Sequence, residues 1–261
     1  MPVDIFVKRR QERLIFILCL TVLTIGSIII TEYDVAKGFT SIFKAISWGL
    51  ANFYPDSASM VKLPNILGKL RETILMSIAA STVAALIGFL LALAGSHTTR
   101  IHPIFSIISR GIASIFRNIP LVAWAMILML AFSQSALTGY LALCVGSVGF
   151  LTRVFIETIE EVSSHSVEAL SAAGAGYFQV VFHAVLPSCM PLMISWLLFM
   201  IETNIRDATL VGMLTGTGVG FAFDLYYKSL NYHSASLVVL LIIITVIVIE
   251  TVSNSVRRVI L

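Results

Sequence analysis

Glu202 and Arg206 stand four residues apart in an otherwise apolar part of the chain, with Asn204 between them. A charged side chain within a membrane span is costly, so the pair needs a physical reason. On a helix, the i, i+4 spacing lets carboxylate and guanidinium neutralise each other; the pair then either fixes helix packing and topology or lines a polar path. Arg206 and Asn204 carry N–H donors that suit an oxyanion, and a guanidinium can grip two oxygens at once. Bond-making chemistry is not written in the sequence. There is no GxxxxGK[ST] phosphate loop, no HExxH, no GxSxG and no cluster of histidines with carboxylates in one span. No residue is expected to be catalytic and none to ligate a metal. Cys19, Cys144 and Cys189 each fall in an apolar stretch without metal-like spacing and read as packing residues.

A second constellation is mechanical. Glu168-Ala169-Leu170-Ser171-Ala172-Ala173-Gly174 reads as a short helix with alanines on one side and Glu168 towards its positive N-terminal end. Gly174 and Gly176 permit a sharp turn, and the segment closes on Leu186-Pro187. A helix of this kind fits a groove on a partner protein. Leu170, Ala173, Tyr177, Val180 and Ala184 also fall near one face, as in an ordinary interfacial amphipathic helix.

The residues Glu168, Ala169, Gly174, Leu186 and Pro187 match, in identity and spacing, the EAA loop of inner-membrane permeases of ATP-binding-cassette (ABC) importers, with Leu170 in place of the second alanine. Two further stretches resemble the phosphonate branch of that MetI-like superfamily: Arg117-Asn118-Ile119-Pro120, and Glu202-x-Asn204-x-Arg206-x-Ala208-Thr209-x-x-Gly212. The resemblance runs from about Leu63 to the C-terminus. It implies a type I importer permease whose loop, with Glu168, Ala169, Ala172, Ala173, Gly174, Leu186 and Pro187, is a coupling helix seated in a cleft of a cytoplasmic ATPase. It further implies a translocation path or gate drawn from Arg117, Pro120, Glu202, Asn204, Arg206, Thr209, Gly212 and Gly216. The implied partners are two ABC ATPase subunits, which bind the ATP and Mg that this chain does not, an extracytoplasmic solute-binding protein, and a second permease copy. One chain supplies one coupling helix and an importer needs two membrane halves, so a homodimer is the simplest assembly. The implied solute is a phosphonate or related phosphorus oxyanion; phosphite, phosphate, methionine or a betaine are neighbouring readings on the same fold. A secondary transporter or channel is disfavoured by the docking loop and by the lack of a visible inverted repeat.

The elements that must position these residues are membrane spans. Hydrophobic residues make up 58% of the chain and charged residues 12%, which excludes a water-soluble core and predicts an all-α polytopic bundle. The net charge of +3 is scattered at segment ends, which suits topology control and not nucleic-acid binding. Six helices are expected: 14–31, 73–96 with Ala80, Ala84, Gly88 and Ala92 on one face, 104–132, 137–156, 187–213 and 229–249. Residues 1–71 form an N-terminal cytoplasmic segment, the first span and an external loop with a short interfacial helix at 63–70; residues 72–261 form the permease domain with its loop at 163–187. Gly212, Gly216 and Gly220 are read as an irregular loop lining a vestibule in preference to close helix contacts. Pro120 is either a helix boundary or a hinge. Basic residues at both ends lead us to expect both termini in the cytoplasm, and the resemblance implies a bacterial inner membrane.

Overall fold

The computed structural model describes residues 5–260, and it is helical almost throughout. The chain divides into two compact units, residues 1–54 and 55–261. The first holds α1 (Ile5–Ile30) and α2 (Val35–Asn52). No residue in the apolar window of α1 is buried, as suits a spanning helix that faces lipid. The expected loop after it is instead largely α2, which Asp34 caps by accepting the Lys37 N–H at 2.9 Å. Its mixed charged and aromatic composition conceals an amphipathic helix.

The second unit contains α3 (Ser57–Met60), α4 (Leu63–Gly95), α5 (Pro103–Asn118), α6 (Leu121–Phe132), α7 (Ala136–Val162), α8 (Ser164–Ala172), α9 (Tyr177–Val180), α10 (Leu186–Thr215), α11 (Gly218–Lys228) and α12 (Tyr232–Ile260). Asp56 caps α3, and the Ser59 backbone N–H it accepts holds its carboxyl below the usual carboxylate range. Five helical stretches of the described chain are long and apolar enough to cross a membrane, and the bent pair α5–α6 would make a sixth. The expected interfacial helix at 63–70 is the first part of α4, a single helix of 33 residues.

The core is built on α4 and α7. Ala80, Ala84 and Ala92 are fully buried and Gly88 is buried with them. A Cβ on Gly88 would lie 3.2 Å from the Thr152 backbone nitrogen of α7, so the small-residue face does bring two backbones together. The span expected at 104–132 does not run straight. It breaks between α5 and α6 with a 95° bend. Pro120 is the cause: the residue before a proline is pushed out of the α region, and Ile119 adopts φ −87°, ψ 123°.

The chain from Tyr177 to Thr215 is continuously helical, because α9 passes through a π-helical turn, Val181–Val185, into α10. Pro187 has no N–H for the carbonyl four residues back and its ring would clash there, so the backbone widens just before it. Leu186-Pro187 therefore opens α10, the span expected over 187–213, but joins it to the short helix before it without a break.

Candidate docking and translocation sites

At one end of the second unit, α8 is fastened by Val167, which is buried, and by Leu170, which packs against the core. Leucine at the position where the EAA pattern has alanine thus serves as an anchor. Glu168, Ala169, Ala172, Ala173 and Gly174 all face outward. Glu168 sits in the second turn and not at the N-terminus, since the helix begins at Ser164. The helix stops where Gly174 takes φ +82°, with Ala175 N–H on the Leu170 carbonyl at 3.1 Å and Gly174 N–H on the Ser171 carbonyl at 3.0 Å. This is a left-handed glycine cap. A Cβ on Gly174 would meet nothing within 4 Å, so the backbone angle, and not crowding within the chain, calls for glycine. Gly176 N–H then bonds Gln179 Oε1 at 2.8 Å and starts α9.

A second site lies inside the bundle, at the elbow between α5 and α6. Trp124 Nε1 donates to the Phe116 carbonyl at 3.3 Å, meeting one of the acceptors that the broken helix leaves open. Gly149 of α7 presses on the same place: its Cβ would lie 2.7 Å from Arg117 N. A cavity of about 210 Å³ opens there, lined by Arg117, Pro120, Ser147, Asn204 and Asp207 among others. The structure thus brings Arg117, Pro120 and Asn204 together. The Asn204 amide, expected as an anion donor, is committed elsewhere: its nitrogen donates to Ser81 Oγ at 2.8 Å and Ser147 Oγ at 2.7 Å. With Ser77 Oγ on the Asn204 carbonyl at 3.2 Å, this residue knots α4, α7 and α10 into one polar network.

Glu202 and Arg206 do not line that cavity. Glu202, 8% exposed, accepts from Arg206 Nη2 at 2.7 Å and has Arg257 Nη2 of α12 at 4.0 Å. One carboxylate therefore sits between two guanidiniums and ties α10 to α12, which is the packing role open to an i, i+4 pair. Arg206 leaves half of its side chain exposed.

The glycines do not form an extended irregular loop: they lie at and around a two-residue turn between α10 and α11. Gly216 (φ +72°) ends α10, Gly218 (φ +61°) opens α11, and Gly212 faces Gly220 where the two helices pack closely. A Cβ on Gly220 would strike the Thr209 carbonyl oxygen, and one on Gly212 the Thr217 carbonyl oxygen. The start of α11 is capped from α4, where Thr73 Oγ1 accepts the Val219 N–H at 2.8 Å. Among the described residues no group of His, Cys, Asp and Glu could hold a metal ion.

The family described as binding-protein-dependent transport system inner membrane component matches residues 84–261, more than half of the chain. The chain belongs to this family. It is 32% identical over 187 residues to the phosphite transport system permease protein PtxC of Stutzerimonas stutzeri, covering 72% of this chain and 68% of that protein. It is 30% identical over 190 residues to the phosphate-import permease protein PhnE of Mycolicibacterium smegmatis, covering 73% of this chain but only 36% of that longer protein. A chain of the inward-facing methionine ABC transporter MetNI superposes with a TM-score of 0.66 at 21% identity, over 75% of this chain and 96% of that one. A chain of a bacterial ABC transporter importing alginate gives 0.60 at 13% identity, over 96% and 98%. The fold is that of the ABC importer permeases.

For a member of this transport family, the polar residues that sequence reasoning missed are Ser81, Ser147, Asp207, Arg110 and Arg153. Asp207 was within reach, since it lies three residues after Asn204 and shares its helix face. The two serines are invisible in a hydropathy profile, because single hydroxyls do not interrupt an apolar span.

Proposed function

We propose that the chain is the membrane half of an ABC importer for small phosphorus oxyanions, and that it works by alternating access. The reading is carried by α8: a short helix seated through Val167 and Leu170, presenting Glu168, Ala169 and the Gly174 turn at one end of the bundle. Small side chains on an outward helix let a partner's cleft close around the backbone. The partner is a cytoplasmic ATPase that binds ATP and Mg, present in two copies for two permease chains. Its closing motion is handed through Leu170 and Val167 to the core, and through the continuous helix from Tyr177 to Thr215 to the elbow cavity. A solute-binding protein delivers the solute at the opposite face, and the termini lie on the ATPase side. Phosphorus oxyanions are favoured as solute because the relatives named for a solute at 30% identity or more carry phosphate, phosphite and phosphonate in their names.

The test is reconstitution of the chain with its ATPase and binding protein in liposomes. Binding protein loaded with methylphosphonate, phosphite or phosphate should raise ATP hydrolysis several-fold and drive uptake of the same solute. Stimulation by loaded methionine- or betaine-binding proteins alone would contradict the assignment.

A further inference from the structure

A hollow of about 240 Å³ on the α5–α7 surface is lined by Arg110, Ala113, Ser114, Arg117, Asn118 and Arg153. Its construction follows from spacing. Arg110, Ser114 and Arg117 fall at i, i+4 and i+7, so they share one face of α5, the two arginines separated by about 10 Å of helix rise. Arg153 comes from α7, one turn beyond Gly149, whose missing side chain lets the α7 backbone approach Arg117. Away from that face α5 carries exposed Ile104, Ile108 and Ile115. An element this apolar has collected its cations in one place.

Two of the three guanidiniums are held by one edge. Arg110 gives Nη2 to Glu160 Oε1 at 2.6 Å and Nε to the Gly95 carbonyl at 3.0 Å. Arg153 gives Nε to Glu157 Oε1 at 2.6 Å. Arg117 has no ion pair or hydrogen bond from its side chain among the described residues. Glu160 and Glu157 thus pair with two of the three guanidiniums, the third pairs with none although Asp207 shares the elbow cavity with Arg117, and several N–H donors have no acceptor. Ser114 Oγ accepts from Asn118 Nδ2 at 3.2 Å, which leaves its own hydroxyl proton to donate. Planar forks and hydroxyls set around an unpaired guanidinium are the donor set for a small tetrahedral oxyanion.

The place matches the direction of transport. Arg117 lines both this hollow and the elbow cavity, so the two adjoin at this residue. Arg153 lies in the half of α7 that leads to α8, towards the end assigned to the ATPase. We propose that Arg110, Arg117 and Arg153, with Ser114 and Asn118, form an oxyanion-binding site on the exit side of the elbow, which takes the phosphorus oxyanion of the transported solute as it leaves the bundle. The site rests on the importer reading above. Its chemistry would equally grip the phosphate of an anionic lipid, so the test separates the two sources.

The nucleotide-free complex of the full chain with its ATPase is placed in nanodiscs of phosphatidylcholine alone, and binding of radiolabelled methylphosphonate is measured by equilibrium dialysis. Saturable binding, displaced by phosphite and inorganic phosphate, is expected. Arg117→Gln and Arg153→Gln should each weaken it at least tenfold, Arg117→Lys less, and Lys228→Gln on α11 less than twofold. Because Arg117 is exposed and unpaired, loss of fold is not expected from its substitution. Equal affinity in wild type and Arg117→Gln overturns the proposal. So does retention of phosphatidylglycerol by Arg117, measured by mass spectrometry in mixed-lipid discs, with no methylphosphonate bound in any disc: the site is then a lipid site. Uptake by the wild-type complex is followed in parallel. If wild type imports methylphosphonate and Arg117→Gln imports and binds it equally well, only the site fails; if wild type imports no phosphorus oxyanion at all, the importer reading fails first.

Discussion

Gly174→Val is expected to lower transport-linked ATP hydrolysis and uptake at least tenfold while leaving the membrane bundle folded. Gly174 holds φ +82°, a region that a β-branched residue enters only at a cost on the order of 1–2 kcal/mol. Nothing in the chain crowds the position, so the strain is relieved locally, by unwinding the end of α8 or swinging the link to α9. The core beneath, closed by Val167, Val180 and Val185, does not depend on that turn. A graded series separates this mechanism from bulk alone. Gly174→Asn, which tolerates the left-handed region, should retain most of the activity, Gly174→Ala less, and Gly174→Val least. Thermal unfolding of the solubilised chain should be nearly the same across the series. Normal coupling in Gly174→Val would show that this turn does not position the docking helix.

The second large effect falls on folding. In Gly220→Leu the new Cβ is driven into the Thr209 carbonyl oxygen, an atom of the α10 backbone that cannot rotate away. Overpacking ordinarily costs about 1–3 kcal/mol; a clash with fixed backbone places this variant at or above the top of that range. The pairing of α10 with α11 should open, and with it the bond from Val219 N–H to Thr73. Unfolding by SDS titration in mixed micelles should show the loss, together with a fall in membrane yield. Gly68→Ala serves as the contrast: a Cβ there meets nothing within 4 Å in the helix α4, so stability should hold or rise by up to about 1 kcal/mol. Equal stability of Gly220→Leu and wild type would contradict the close helix contact.

Hydropathy and small-residue spacing made the bundle legible, because lipid and close backbone approach act on whole segments. The buried face of Ala80, Ala84, Gly88 and Ala92 follows from a four-residue repeat that only a packed helix needs. What hydropathy does not encode is direction: an apolar run bent by 95° at Ile119-Pro120 is as apolar as a straight one. The only local sign was the proline, which fits a boundary and a hinge alike. The glycines at 212, 216 and 220 posed a similar choice, and the decision lies with the Thr209 and Thr217 carbonyls that two of them face. Candidate site residues were legible where a motif spans consecutive turns, as in α8. The knot of Asn204 with Ser81 and Ser147 joins positions more than fifty residues apart, and the gathering of Arg110, Arg117 and Arg153 depends on Gly149 admitting α7 to α5; neither exists before the helices pack.

The most direct test is contact at α8. Cys19 is exposed and should be replaced first, whereas Cys144 and Cys189 are buried and can remain. A single cysteine introduced by Ala169→Cys, carrying a short photo-activated cross-linker, should join the chain to the cytoplasmic ATPase in membranes, with a yield that changes when ATP is added. The same reagent on Ser229→Cys, in the turn between α11 and α12, should give no such adduct. An Ala169→Cys probe that never captures the ATPase in a complex that still transports would contradict the account.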